Sequence, residues 1–290
     1  MEIRQLRYFV AIADTGSFSE ASRRCFLSQS AISQQIKLLE EEFKTVLFNR
    51  TSHSVSLTES GEQLLPMARR ILEDINKCQD KMDDLDHTLQ GTLNIGLTYS
   101  LEPYIRRTAL LFIKLHQHVQ LNLKFASIPD LIRKLRSGEI DMAFSMKVDG
   151  QEDWVNSEPM TSYQLCAIMS DTHPLSQRSA LTLGDLRNYS LILPEEGING
   201  SNAIQEYLCT EAKDLNIRAT VNNPTTLLQM LTQTRCISIL SEWQARGRHD
   251  LRAIPIVELP EPVTTYVHMA KSAYVKRSAQ AFLKMLREQL

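Results

Sequence analysis

A stripe of amide, hydroxyl and cationic side chains near the amino end has the chemistry needed to read nucleic-acid bases. Gln29, Ser33 and Lys37 recur every four residues, and Ser30 and Gln34 keep the same spacing beside them, so that one broad face of a helix carries all five. An amide pairs with adenine N6 and N7, a hydroxyl with donors or acceptors, and an ammonium group with guanine or phosphate. The pattern predicts hydrogen bonding to DNA; a solvated helix face is the alternative.

The other side of the same segment is aliphatic and fixes its orientation. Ile32, Ile36 and Leu39 share one face of a helix that Ser28 can cap and that runs to about Phe43. Burying that face in a small core would turn the polar stripe outward. The free N–H groups at the helix amino end also favour a phosphate, which adds Ser28 to the predicted DNA-binding set.

A shorter helix is predicted just before it. Ser17–Glu20 has the S-x-x-E form of a capping box, and a turn at about Cys25–Leu27 separates the two helices, so that together they form a helix-turn-helix. Arg23 and Arg24 end the first of them, near where a DNA backbone would pass. Between residues 17 and 37 three cations accompany one acid, a net charge of +2, so the basic patch is weak.

The segment from residue 47 to 58 predicts a short β-wing. Val55 and Leu57 alternate with serines, which suits a hairpin with a polar tip. Arg50, Ser52 and His53 could contact phosphates or the minor groove. A plain surface loop is the alternative.

Residues 58–90 predict a long helix with a regular apolar seam. Thr58 can cap it, and the apolar positions then step alternately by four and three residues, as in a coiled coil. The pattern indicates that two chains pack along this rod; the alternative is one amphipathic helix that lies on its own protein. The seam residues are Leu64, Ala68, Ile71, Ile75, Cys78, Met82, Leu85 and Leu89.

From residue 92 the apolar period changes to two, which indicates an α/β body. Strand and helix patterns alternate as β-α-β-α-β up to Ser145, and this order predicts a parallel sheet with right-handed crossovers. A second series begins after about residue 162. Its predicted strands lie at 164–169, 190–193, 217–221, 237–240 and 263–269, and its predicted helices lie at 201–212, 225–233 and 276–287.

Small molecules bind beyond the carboxyl ends of strands in open α/β sheets, and hydroxyl-bearing residues follow several of these strands. A loop of the second series could face the cleft that lies beyond these strand ends. The candidate effector-binding residues are Thr98, Tyr99, Ser100, Ser127, Ile128, Ser145, Asn199, Gly200 and Ser201.

Composition excludes several classes of protein. The 290 residues carry a net charge of −2, so that DNA binding must rest on a local patch. No apolar run approaches the ~18 residues of a membrane span, and the first residues lack the apolar core of a secretory signal. Five scattered cysteines without a C-x-x-C pair indicate reduced thiols in the cytoplasm. No catalytic signature is present, so we expect no enzyme activity, no metal and no cofactor.

The head resembles the LysR-type transcriptional regulators. Three segments carry the resemblance, in the family's order and spacing: Ser17–Ser22, Leu27–Glu40, and Leu47–Arg50 followed by Leu57–Gly61. The length, the rod and the two-part body are also similar. The resemblance implies an α/β fold class with an amino-terminal winged helix-turn-helix, a long dimerising linker helix, and a two-lobed effector domain similar to periplasmic binding proteins.

We therefore expect a DNA-binding domain at 1–58, a linker helix at 59–90 and an effector-binding domain at 91–290. Lobe I of the effector domain would take about 91–161 and 267–290, and lobe II about 162–266. The implied partners are double-stranded DNA with a near-palindromic operator, further copies of the chain as a dimer or tetramer, a small-molecule effector, and RNA polymerase. A membrane partner is not expected.

Three departures from the family pattern stand out. Cys25 replaces a usual Leu, Lys44 replaces a helix-terminating Gly and so requires another turn geometry, and Arg50 is the one certain cation of the wing. Two alternatives stay open. The chain could sense oxidants through a cysteine, with Cys209 as the best candidate, or it could be a solute-binding or enzymatic α/β protein with a helical accessory head.

Overall fold

The chain divides into two compact units, Met1–Leu85 and Asp86–Leu290. The computed structural model describes residues 1–50, 55–83, 89–148, 153–195, 215–259, 262–271 and 274–288. Several predicted positions lie outside these ranges: Ser52, His53, Leu85, Asn199, Gly200, Ser201, Cys209 and the whole of the predicted helix at 201–212.

The first unit is a helical head with a two-stranded wing and a long helix. Its elements are α1 (Ile3–Thr15), α2 (Phe18–Arg24), α3 (Gln29–Phe43), β1 (Phe48–Arg50), β2 (Val55–Leu57) and α4 (Glu59–Asp83). Ile32, Ile36 and Leu39 of α3 are fully buried. They share one core with Phe9 of α1 and Phe48 of β1, whose rings lie 5.3 Å apart.

Two turns of the head differ in detail from the sequence expectations. Ser17 caps α2 by accepting a hydrogen bond from the Glu20 backbone N–H, but the Glu20 carboxylate pairs with Arg23 and Arg24 instead of completing a capping box. Lys44 ends α3 in the left-handed conformation, with φ 53°. The expectation of a different geometry at Lys44 was therefore wrong, because this cation takes the backbone shape that glycine favours, at a cost of about 1–2 kcal/mol.

Helix α4 carries two apolar faces rather than one seam. Ala68 is fully buried in the head core, and Leu65 and Leu72 pack against the same core. Ile71 and Met82 are exposed, at 37% and 60%. The amino-terminal turns of α4 therefore pack on their own head, as the alternative interpretation had it. The exposed apolar face is still available to a second chain.

The seam also ends earlier than the sequence suggested. The described part of α4 ends at Asp83, and Leu89 is not helical. Leu89 packs against the core of the second unit, so it cannot belong to the rod.

The second unit begins with a five-stranded sheet in the order β4-β3-β5-β12-β6. Strands β3, β4 and β5 are parallel, as the β-α-β-α-β pattern predicts, whereas β6 and β12 run antiparallel to their neighbours. The elements are β3 (Gly91–Leu97), α5 (Glu102–Leu115), β4 (Val119–Phe125), α6 (Ile128–Arg136), β5 (Met142–Met146), β6 (Val155–Tyr163), β12 (Val263–Ala270) and α9 (Arg277–Arg287).

A second group of strands forms the other lobe. In it β7 lies between β10 and β11, antiparallel to both, and β8 runs parallel to β9. The elements are β7 (Leu165–Ser170), α7 (Leu183–Leu186), β8 (Ser190–Pro194), β9 (Asn216–Val221), α8 (Pro224–Gln233), β10 (Ser238–Ser241) and β11 (Leu251–Pro255). The sequence does not predict β6 or β11, and β12 joins the first sheet from Val263, whereas the expected return was at about residue 267.

A buried histidine joins three strands of the first sheet. His268 is fully buried in β12. Its Nε2 lies 2.9 Å from the Ser145 hydroxyl and 3.2 Å from the Met146 carbonyl, and its Nδ1 lies 2.7 Å from the Ser157 hydroxyl. Because Ser145 donates to the Met146 carbonyl, Nε2 carries the proton and Nδ1 accepts from Ser157. Burial lowers the pKa of His268 to about 4, so the ring is neutral.

This pKa predicts a pH-dependent stability of the second unit. Since the native state holds His268 below its ordinary pKa of 6.5, its contribution is complete above about pH 6.5 and is lost as the pH falls toward 4. The full loss would be about 3 kcal/mol, at ~1.4 kcal/mol per pKa unit.

Urea unfolding of the chain and of His268→Asn at pH 7.5, 6 and 5 measures this effect. As the pH is lowered, the free energy of unfolding should fall more steeply in the unsubstituted chain than in His268→Asn. Equal pH slopes would show that this histidine does not control the acid sensitivity.

Candidate nucleic-acid interface and effector pocket

The polar stripe of α3 lies on the surface of the head. Gln29, Ser30, Gln34 and Lys37 are exposed, and Ser33 is half-buried. Ser28 caps the helix: its hydroxyl accepts from the Ala31 N–H at 3.2 Å. An exposed helix amino end with short polar and amide side chains is what entry into a major groove requires.

A neighbouring helix orients the first side chain of the stripe. The Ser19 hydroxyl of α2 donates to Gln29 Oε1 at 2.9 Å. This bond occupies the Gln29 amide oxygen and leaves the amide N–H₂ group as the donor that could bind a base. Sequence reasoning named Gln29 but missed Ser19, which the S-x-x-E pattern marks only as part of a helix start.

Arg50 has a structural role in addition to the predicted phosphate contact. Its Nη2 lies 3.0 Å from Glu40 Oε2, its Nη1 donates to the Ser33 hydroxyl at 3.3 Å, and its guanidinium lies 4.7 Å from the centre of the Phe18 ring. Glu40 also accepts from the Leu47 N–H at 2.9 Å. Arg50 and Glu40 thereby hold the wing against α3, and removing Arg50 would change the wing as well as the charge.

Each of the other described cations predicted to bind DNA lies close to a glutamate on its own helix. Arg23 and Arg24 lie 2.8 and 3.7 Å from the Glu20 carboxylate, and Lys37 lies 3.7 Å from Glu41. The cations are mostly exposed, so these pairs are weak and phosphates can compete for them. Their effect is to lower the positive potential of the surface around α3.

In the second unit, the loop after β3 is more enclosed than expected. Thr98 and Ser100 are buried, and their hydroxyls lie 3.2 Å apart. Ser100 also hydrogen-bonds Tyr163, and burial raises the pKa of that phenol to about 12. These two hydroxyls support the loop from inside.

The neighbouring residues are more accessible. Tyr99 stacks on Phe125 with ring centres 4.8 Å apart, and both rings are partly open to solvent. Ser127 caps α6 and donates to the Asp130 carboxylate at 2.9 Å, and Ile128 follows it half-buried. The carboxyl ends of β3 and β4 therefore offer an aromatic pair and a helix start.

Ser145 does not face a cleft. Its side chain is buried, and its hydroxyl is occupied by His268 and the Met146 carbonyl. The expectation that Ser145 binds an effector is corrected by these contacts, because a hydroxyl that supports the sheet core cannot also reach a ligand.

A small apolar pocket of about 10 Å³, room for about one water molecule, lies at the carboxyl ends of β8 and β9 and the amino end of α8. Gln244 supplies its amide side chain, and that amide donates to the Tyr99 carbonyl at 3.2 Å, which connects the pocket to the loop after β3. Beside it, Trp243 stacks on Tyr104 at 5.0 Å. Sequence reasoning missed this pocket, whose lining is Pro194, Val221, Pro224, Leu227, Leu228, Leu240 and Gln244.

The described cysteines differ in their surroundings. Cys166 and Cys236 are buried, and burial raises the pKa of the Cys166 thiol to about 11. Cys25 is half-buried against the head core, and burial raises its pKa as well. Cys78 is exposed on α4. In the part of the chain that the structure describes, no cluster of His, Cys, Asp or Glu is suited to a metal, and no helix could cross a membrane.

Two family models together match most of the chain. Residues 3–62 match the bacterial regulatory helix-turn-helix proteins of the lysR family, and residues 86–290 match the LysR substrate binding domain.

Curated relatives and solved structures agree with these models. The chain is 30% identical over 274 residues to the DNA-binding transcriptional dual regulator OxyR of Escherichia coli K12, across 91% of this chain and 88% of OxyR. It is 30% identical over 246 residues to the regulator CfxR of Cupriavidus necator, across 83% of this chain and 76% of CfxR.

The fold resembles full-length CbnR in complex with its target DNA, with a TM-score of 0.73, 22% identity and complete coverage of both chains. A full-length OxyR variant from Pseudomonas aeruginosa gives a TM-score of 0.69 at 22% identity, over 99% of this chain and 98% of that one. The chain therefore belongs to the LysR family of bacterial transcriptional regulators, with a helix-turn-helix domain before an effector-binding domain.

Proposed function

We propose that α3 enters the major groove amino end first, and that Gln29, Ser30, Ser33, Gln34 and Lys37 read base edges there. The observation that carries this proposal is the two-sided character of α3, whose aliphatic side is fully buried while its polar side faces solvent. Arg23, Arg24 and Ser28 would contact phosphates at the edge of the site.

Two heads would bind two half-sites of a near-palindromic operator. The exposed apolar face of α4, which includes Ile71 and Met82, supports pairing with a second chain. A two-fold protein requires a two-fold arrangement of half-sites on its DNA. Tetramers would form from two such dimers and add avidity to a weakly basic head.

The second unit would bind a small molecule with an apolar body at the Gln244 pocket, which would have to widen on binding because its enclosed space of about 10 Å³ holds no more than a water molecule. The lining is aliphatic, so burial of carbon surface would supply most of the affinity, and the amide would fix the orientation. Because Gln244 reaches the Tyr99 carbonyl, a ligand that competes for this amide would loosen one lobe from the other. The movement of the lobes would then change the spacing of the DNA-binding heads.

The remaining expectations follow from this role. A regulator of this kind acts by binding alone, so we propose that the chain is no enzyme, needs no cofactor and works in the cytoplasm, where its DNA lies. OxyR relatives make oxidant sensing a second candidate, but the two described thiols of the second lobe are buried, and a raised pKa makes the Cys166 thiol a poor nucleophile.

Gln29→Ala should relax sequence preference. Loss of a base contact should weaken binding to the preferred duplex by about 1–3 kcal/mol and leave binding to unrelated duplexes nearly unchanged. Arg23→Gln is the matched comparison, because a phosphate contact should matter equally on every sequence. Titrations of labelled duplexes at one salt concentration measure both, and parallel losses in the two variants would contradict the assigned roles.

Glu20→Gln should strengthen DNA binding. Freed from this carboxylate, Arg23 and Arg24 would reach phosphates with less competition, and affinity should rise about two- to fivefold, in line with the strength of exposed ion pairs. Glu42→Gln removes the same charge at the far end of α3 and should change affinity less. An equal gain in both variants would show that only net charge matters.

Gln244→Ala should impair the response to the effector but not DNA binding. Small carboxylates and aromatic metabolites can be screened by thermal shift on the full chain, and the affinity for an active compound should fall about three- to tenfold in this variant. The exposed Gln229→Ala on α8 is the control. If the affinity for the compound is unchanged in Gln244→Ala, the effector binds at another site.

A further inference from the structure

The turn between α2 and α3 presents a large aromatic side chain to solvent. Phe26 is 95% exposed, the highest value among the exposed large hydrophobic residues of the described chain. Its neighbours in the turn do contribute to the fold: Cys25 packs against the head core, and Ser28 caps α3. Phe26 has no such role, so its side chain does not serve the folding of the head.

The backbone at this position makes a phenylalanine unfavourable. Phe26 has φ 55°, in the left-handed region. The Phe26 N–H bonds to the Arg23 carbonyl at 3.2 Å, and the Leu27 N–H bonds to the Ser22 carbonyl at 3.0 Å. These two bonds form a Schellman turn, whose left-handed residue is most often glycine or asparagine. A bulky side chain here therefore lowers the stability of the head.

The position of Phe26 connects it to the DNA-binding surface. It lies two residues before the cap of α3 and two after Arg24, and its sequence neighbours Arg23, Ser28 and Gln29 are exposed as well. Among DNA groups at the groove edge, the C5-methyl of thymine is the one that accepts an apolar contact from phenylalanine.

We propose that Phe26 contacts DNA directly and that its ring packs on a thymine methyl at the outer edge of each half-site. This inference rests on the proposed entry of α3 into the major groove. It assigns the apolar part of sequence recognition to the turn, while the amides and hydroxyls of α3 supply the polar part. The side chain that weakens the head thereby strengthens its complex with DNA.

The test compares three variants of the full chain on one duplex, selected from a random library by the unsubstituted protein. Phe26→Asn fits the left-handed turn but removes the apolar surface, and Phe26→Leu keeps apolar surface. Lys44→Gly relieves the other non-glycine residue of the described head that has a left-handed backbone. Phe26→Asn and Lys44→Gly should both raise the unfolding temperature of the head. Of these two variants, only Phe26→Asn should lose DNA affinity, by about tenfold. Phe26→Leu should lose less affinity than Phe26→Asn, because it keeps part of the apolar surface.

A second arm replaces each thymine of the duplex by deoxyuridine, which removes only the methyl group. At one thymine position per half-site, this replacement should weaken DNA binding by the unsubstituted chain and leave DNA binding by Phe26→Asn unchanged. Unchanged affinity of Phe26→Asn, or the same thymine dependence in both proteins, would overturn the proposal. If the unsubstituted chain selects no sequence at all, it is the proposed entry of α3 into the groove that fails instead.

Discussion

Burial of the aliphatic side of α3 is the constraint on which the DNA-binding head depends. Ile32, Ile36 and Leu39 are fully removed from solvent against α1 and the wing, and each buried aliphatic side chain of this size stabilises the fold by roughly 1.5–3 kcal/mol. Because the helix cannot rotate without exposing this surface, the opposite side chains are held outward. The hydrophobic core therefore determines which side chains of α3 face outward and are available to DNA.

The positive charge around this helix is partly neutralised by glutamates. Arg23, Arg24, Lys37 and Arg50 all have a glutamate within 4 Å, and for Arg50 the glutamate is partly buried and holds the wing in place. A single head would consequently bind DNA weakly. Pairing through the exposed face of α4 would compensate, since two linked heads raise the effective concentration of each at its half-site.

The elements that local periodicity specifies could be predicted from the sequence. The orientation of α3 follows from its 3.6-residue apolar repeat, and the parallel order of β3, β4 and β5 follows from alternating strand and helix patterns. Strand β6 escaped prediction because Pro159 and a register shift opposite Thr265 and Tyr266 disturb its alternation.

Contacts between residues far apart in the sequence could not be predicted from local patterns. Ser145 follows a pattern typical of a ligand loop, yet its hydroxyl bonds His268, 123 residues away. Ala68 fits a coiled-coil repeat but is buried in the head, since a repeat cannot say which partner covers it. The Gln244 pocket likewise combines residues from three strands, a helix and a turn, none of which forms a motif alone.

Entry of α3 into the major groove at two half-sites can be observed on the DNA itself. Dimethyl sulfate footprinting tests it most directly, because the reagent methylates guanine N7 in the major groove and adenine N3 in the minor groove. Two heads with α3 in the major groove should give two symmetric patches of N7 protection on one face of the duplex, a whole number of helical turns apart. Protection confined to adenine N3, or a single patch of N7 protection, would contradict it.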